Sequence, residues 1–293
     1  MCAQLINGMV SKYLKTAGIL LVIFILVRLV PDGTIDPWNI LSPKKAVAMI
    51  LALALIQWLG AVMTQLLGSR AGTMLSGFFA GLISSTAATV SLARQSRQPT
   101  KKDSATETLT FLCANLAMLA ESAAILYFGA HDLHRLLFLI FVVPAAITTM
   151  MIFFQSRRTQ KQESLWQEPK LDFLPILKLA LFILAILAAS KIIQIFIGER
   201  GFYLLTFVVS LFEIHGSLIA NIQLHNSGAF DVRFLGSLLT ISVAASYISK
   251  MFLIFTLGSP SLKVETIKYT SILMASLLTS WFVFYLILTG PSA

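Results

Sequence analysis

Gly72 to Arg94 reads GTMLSGFFAGLISSTAATVSLAR, and how this stretch is read decides the fold. At about 1.5 Å per helical residue it can cross a hydrocarbon core of roughly 30 Å. Its middle is nevertheless small and polar, with Ser84, Ser85, Thr86, Thr89 and Ser91. Thr73, Gly77, Gly81, Ser85 and Thr89 recur every fourth residue and share one stripe of a helix. A small-residue stripe lets another backbone approach closely, and its hydroxyls can bond across the contact. Helix packing alone accounts for such a stripe. A second copy of the pattern later in the chain is what points to a site. Whether the helix is continuous or broken at Gly81 is open at this level, and a break would expose backbone groups that a membrane tolerates only beside protein or water.

The rest of the chain fits the same environment. Of 293 residues 57% are hydrophobic and 12% charged, about half the charge fraction of a soluble domain. Mean hydropathy is +0.84. Apolar runs of spanning length alternate with short charged loops, which is the pattern of a multi-pass helical membrane protein in a lipid bilayer. The first run lacks a small-residue cleavage pattern before Pro31 and reads as a retained span. Cys2 and Cys113 are far apart and suggest neither a disulfide framework nor a metal site. The net charge of +9 sits mostly in a few loops and calls for no nucleic-acid partner.

Nine spans are expected, near 17–30, 46–67, 72–94, 109–128, 136–154, 173–197, 203–224, 234–257 and 271–288. Pro31-Asp32-Gly33 and Gly68-Ser69-Arg70 mark turns. Basic residues are denser in the loops after the first, third, fifth and seventh spans, twelve against seven. The positive-inside rule then puts the N-terminus outside and the C-terminus in the cytoplasm.

A repeat organises these spans. Leu82-Ile83-Ser84 aligns with Leu211-Phe212-Glu213, and Gly129 with Gly258, at a constant shift of 129 residues. The expected fold is therefore an all-α, polytopic transmembrane helix bundle. One N-terminal span (residues 1–40) precedes two parallel four-helix repeats, 41–160 and 161–293. Solute sites of repeated membrane proteins lie between the halves.

Ionisable residues inside spans are costly and usually face a bundle interior or water. Glu213 and His215 sit at the positions matching Ser84 and Thr86, and Glu213, Ser217 and Asn221 share a helical face. Glu121 and Lys250 occupy equivalent repeat positions, and Lys250 shares a face with Ser242 and Ser246. Lys191 lies near a span end and can snorkel. An ion pair of Glu121 or Glu213 with Lys250 or His215 would explain these charges structurally. A polar transport path explains them equally well, and His215 could handle protons, since imidazole titrates in the physiological range. The candidate path or polar core is Ser84, Ser85, Thr86, Thr89, Glu121, Glu213, His215, Ser217, Asn221 and Lys250.

The run Leu29-Val30-Pro31-Asp32-Gly33-Thr34-Ile35-Asp36-Pro37, then Pro43, Gly68-Ser69-Arg70-Ala71-Gly72 and Gly81 to Arg94 carry a likeness. From Tyr13 onward the chain resembles the uncharacterised multi-pass domain that forms the C-terminal half of MgtC/SapB-type bacterial membrane proteins, here as a stand-alone copy. The resemblance implies a bacterial cytoplasmic (inner) membrane and no particular activity. That family tends to carry an aspartate-rich motif where this chain has Glu213-Ile214-His215-Gly216, and a basic residue where it has Glu121. Exchange of negative and positive partners between the fourth and seventh spans would compensate both departures.

Three functions compete. A transporter or channel for a small ion or solute would place its path between the halves. A non-transporting scaffold or regulator would bind other membrane proteins, or a second copy, through small-residue faces. An intramembrane hydrolase built on Ser84 and His215 lacks an orienting acid or oxyanion motif at a diagnostic spacing, so no enzyme is expected. Neither a nucleotide loop nor a haem or Cys/His metal motif is present, so no cofactor or metal is expected. Glu121 and Glu213 alone would not supply the oxygen set of a hard divalent cation such as magnesium. The transporter reading fits the duplication and the mid-span charges best.

Overall fold

In the computed structural model, residues 43–67, 72–97, 104–130, 135–158 and 198–289 are described, with the single residues 18, 21, 25, 185, 186 and 189. The first and sixth spans expected from sequence, the turns at 31–33 and 68–70, Lys191 and most of the two basic loops lie outside them. Among the described residues every regular element is a helix: α1 Pro43–Leu67, α2 Thr73–Gln95, α3 Ala105–Gly129, α4 Leu139–Ser156, α5 Glu199–Phe212, α6 Ile214–Asn226, α7 Val232–Leu257 and α8 Pro260–Thr289. A short 3-10 turn, Arg135–Phe138, leads into α4. Local chemistry sets several boundaries. The Asp231 carboxylate accepts the Phe234 N–H at 2.8 Å to start α7, and Pro260 opens α8 where a missing N–H costs nothing.

Five of these helices, α2, α3, α4 with its leading turn, α7 and α8, are long and apolar enough to cross a bilayer. Outward faces carry large apolar side chains such as Phe128, Phe153, Phe252 and Phe282, while Glu121, Asn115, Ser242 and Lys250 are buried. Apolar residues outside and polar residues inside are what hydrocarbon solvent requires, and the chain is a multi-pass membrane protein.

Helix directions follow from specific bonds. Lys250 Nζ donates to Asn115 Oδ1 at 3.0 Å and Ser246 Oγ meets Met118 Sδ at 3.1 Å, so α7 runs antiparallel to α3. Gln155 near the end of α4 reaches the Ala105 carbonyl at 3.4 Å, and Arg233 at the start of α7 reaches the Leu288 carbonyl at 2.7 Å. The starts of α3 and α8 and the ends of α4 and α7 therefore share one end of the bundle, the Arg97 end. The end of α3 and the start of α7 define the other, the Arg233 end.

Two elements double back. In α2 the glycines advance in parallel with α3: a Cβ on Gly77 would meet Thr110 Cα at 3.1 Å, and one on Gly81 would meet Ala114 Cα at 2.6 Å. The first arm of α2 thus runs from the Arg97 end inward. At Ser84 the backbone is extended (φ −168°, ψ 105°). Beyond it the second arm ends with Arg97 Nη2 on the Thr256 carbonyl at 2.8 Å and Ser96 Oγ accepting the Ser259 N–H at 2.9 Å. It has returned to the end from which it came.

The pair α5 and α6 does the same from the opposite end. Phe202, near the start of α5, packs edge-on against Phe230 with ring centroids 5.7 Å apart, at the start of α7. Asn226, at the end of α6, donates to the Gly129 carbonyl at 2.8 Å. Between the arms Thr206 Oγ1 lies 3.2 Å from Asn221 Oδ1. In a straight helix fifteen residues would separate them by about 22 Å. Glu213, extended at φ −148° and ψ 98°, is the turning point.

Residues 72–94 and 203–224 are therefore not single straight helices: each doubles back at one extended residue, Ser84 or Glu213. The two hairpins enter from opposite ends of the bundle, and α3 and α7 run oppositely.

Cysteines replacing Thr206 and Asn221, in a background lacking Cys2 and Cys113, are expected to form a disulfide on mild oxidation. Mass spectrometry would read the loss of both free thiols, and persistent free thiols would restore the single-crossing reading.

Candidate functional site

Both turning points are made by a residue that leaves the helix and caps the next arm. Ser84 Oγ accepts the Ala87 N–H at 3.2 Å, and Glu213 Oε1 accepts the His215 N–H at 3.0 Å. Serine and carboxylate side chains at this position satisfy one of the free N–H groups that begin a helix. The remaining N–H groups and the carbonyls that end the preceding arm need other partners, and these breaks lie midway along the bundle.

The two breaks line a single cavity of about 50 Å³, walled by Ser84, Ser85, Thr86, Ser210, Glu213 and His215, with Gln57, Ser246 and Ser249 completing it. This is room for about three waters or one small ion. Half-helix ends with opposite partial charges meet there, since each break joins the C-terminus of one arm to the N-terminus of the next.

Behind the cavity lies an ionic cluster. His215, in the first turn of α6, places Nδ1 3.3 Å from Glu213 Oε1 and Nε2 3.3 Å from Glu121 Oε2 on α3. The Glu213 side chain is 39% exposed, whereas that of Glu121 is 1% exposed. Glu213 therefore faces the cavity and Glu121 is sealed behind the imidazole. Lys250 on α7 is within electrostatic reach of Glu121, its ammonium held by Asn115 and by Met118 Sδ at 2.9 Å. Helix positions explain the convergence. Glu121 and Lys250 come from antiparallel helices, and His215 is delivered by a hairpin that stops halfway.

Of the residues expected from sequence, Ser84, Ser85, Thr86, Glu213 and His215 gather at the cavity, with Glu121 and Lys250 next to them. Three lie apart from it. Thr89 is fully buried and donates to its own helix at the Ser85 carbonyl, 2.8 Å away. Ser217 stands 3.4 Å from Ser242 and joins α6 to α7, while Asn221 ties the two hairpin arms together. The Gly77 and Gly81 part of the stripe is packing, against α3. Gln57, Ser210 and Ser249 line the cavity, Asn115 and Met118 hold Lys250, and all five were missed. The available signal for Gln57 and Asn115 is an amide inside an apolar run, and the two serines and the methionine give none.

No curated protein and no solved structure matches the chain. A family model described as a domain of unknown function (DUF4010) matches residues 51–258, well over half of the length, from within α1 to the glycine that ends α7. Both hairpins, the cavity and the ionic cluster fall inside that match, and the chain belongs to the DUF4010 family.

Proposed function

We propose that this protein transports a small ion or solute, with the path passing through the crossing of the two hairpin tips. The observation that carries the reading is that both helix breaks open into one polar cavity in the middle of an otherwise apolar bundle. Irregular backbone at that depth is tolerated beside protein or water, and broken helices whose ends face a midplane site recur in transporters with inverted repeats.

Reciprocal contacts support descent of the two halves from one unit. Arg97 Nε reaches the Gly258 carbonyl at 3.3 Å, and Asn226 Nδ2 reaches the Gly129 carbonyl at 2.8 Å. Residues 97 and 226, like 129 and 258, differ by the same 129 positions, as do the turning points Ser84 and Glu213. Each hairpin is thus tied to the other half by an equivalent bond, the relation expected of a pseudo-two-fold axis in the membrane plane. Rocking of one half against the other would open the cavity to each side in turn.

Orientation belongs to the same proposal. Among the described residues, Arg94, Arg97, Arg157, Arg158, Lys263 and Lys268 gather at the Arg97 end, against Lys44, Lys45, Arg135, Arg200 and Arg233 at the other. The positive-inside rule makes the Arg97 end cytoplasmic. Thr289 then lies on the outer side, opposite to the expectation from nine crossings. The likeness to the C-terminal half of MgtC/SapB-type proteins adds a bacterial cytoplasmic membrane as the address, and the proposal assigns no catalytic step.

Single cysteines at Ser85, Glu213 and His215, in a background lacking Cys2 and Cys113, test the path. A small charged thiol reagent applied from each side in turn is expected to label all three. Failure to label any of them in folded protein, under every condition tried, would leave a dry seam and favour the scaffold.

A further inference from the structure

We infer that Glu213, His215 and Glu121 form a proton relay joining the hairpin cavity to a sealed carboxylate, so that the proton is an ion bound at this site. That its binding drives movement of the solute rests on the transport reading above. The geometry is a carboxylate on each side of one imidazole, with both nitrogens 3.3 Å from a carboxylate oxygen. An imidazole so placed can take a proton at one nitrogen and release another from the second, which neither a lysine nor an amide can do.

The step balances without a co-reactant. A proton leaves Glu213 Oε1 for Nδ1 as the proton on Nε2 passes to Glu121 Oε2. One O–H bond breaks and another forms, and the ring is left as the other tautomer. Reversal of the same transfers, or rotation of the ring, resets it. Glu121 Oε1 and His215 Nε2 are both buried without a hydrogen-bond partner, so at 3.3 Å a small turn of the ring must bring Nε2 into line with the Glu121 carboxylate before the proton passes. The two carboxylates lie on opposite sides of the ring rather than converging on a common point, and no group of His, Cys, Asp and Glu among the described residues is arranged to hold a metal ion.

The charges that set this equilibrium come from three elements. Glu213 stands at the break before α6, Glu121 faces the ring from α3, and Lys250 is within electrostatic reach of Glu121 from α7. The other walls supply neutral groups, Gln57 from α1, Ser84, Ser85 and Thr86 from α2, and Ser210 from α5. Protonation at Glu213 would weaken its hold on the His215 N–H that starts α6, giving the proton a direct mechanical link to one hairpin tip.

Infrared difference spectra of the purified protein between acidic and alkaline buffer test the relay. The expected result is a protonated-carboxyl band that titrates with pH, is removed by Glu121→Gln or Glu213→Gln, and is displaced along the pH axis by His215→Asn. The second carboxamide variant keeps the test open if the first does not fold. A spectrum with no titrating band traceable to Glu121 or Glu213 overturns the relay, even where cysteine labelling shows a wet cavity. A titrating band in a protein whose cavity cysteines stay unlabelled supports the proton site and removes transport, so the two readings fail separately.

Discussion

Replacing Gly81 by valine is expected to destabilise the protein by about 1–3 kcal/mol or more, the usual range for overpacking a tight contact. A Cβ at this position would stand 2.6 Å from Ala114 Cα, 2.9 Å from Ala117 Cβ and 3.0 Å from the Ala114 carbonyl oxygen. Two of these neighbours are backbone atoms of the central helix α3 and cannot swing aside as a flexible side chain would. In a membrane the close approach of two backbones is itself a main source of association, because burying apolar surface from lipid gains little. The loss should therefore appear as early thermal unfolding of the detergent-solubilised protein, followed by size-exclusion chromatography. Gly72→Ala is the control, since nothing lies within 4 Å of its added methyl group. A Gly81→Val protein melting with the parent would mean that the first hairpin arm does not rest on α3.

His215→Ala is expected to cost about 1–3 kcal/mol, the range for leaving buried polar groups without their partner. The imidazole lies between Glu121, which is 1% exposed, and Glu213, so its removal leaves two carboxylates facing one another across a hole. Lys250 does not replace it, because its ammonium is already held by Asn115 and Met118. In a Glu121→Gln background the same alanine should cost less by about 1–3 kcal/mol, the coupling typical of groups in one network. Equal costs in the two backgrounds, read from chemical or thermal unfolding, would show that the 3.3 Å approach carries no interaction energy.

The cavity residues divide by how they are held. Glu213 and Ser84 are fixed by their own backbone, as caps of the arms they begin. Glu121 and Lys250 are fixed by the long spans that carry them. Only the first pair moves with a hairpin, so displacement of a tip would part His215 from Glu121 while leaving the Glu213 cap intact. That separation is a natural point at which proton occupancy and hairpin position could influence each other.

Much of this was legible in the amino acids. Length, hydropathy and charge determine an all-helical multi-pass membrane protein, because hydrocarbon admits few other ways to pair a backbone. The shift of 129 residues pairs Ser84 with Glu213 and Gly129 with Gly258; Ser84 and Glu213 are the two helix breaks, and the Gly129 and Gly258 carbonyls accept from Asn226 and Arg97. The charged residues inside spans determine where to look, since their burial cost demands partners. Direction was not legible. A 23-residue apolar helix has the same composition and summed hydropathy whether it crosses or doubles back, and one extended residue separates the two. What chose the return path was tertiary: Gly77 and Gly81 against α3, Arg97 on the end of α7, Thr206 against Asn221 and Asn226 on the end of α3. These contacts join residues far apart in sequence, or on two arms read as one, and no local pattern records which end of a span its neighbour will meet. The hairpins and the meeting of Glu121, His215 and Glu213 were therefore decided by packing between helices.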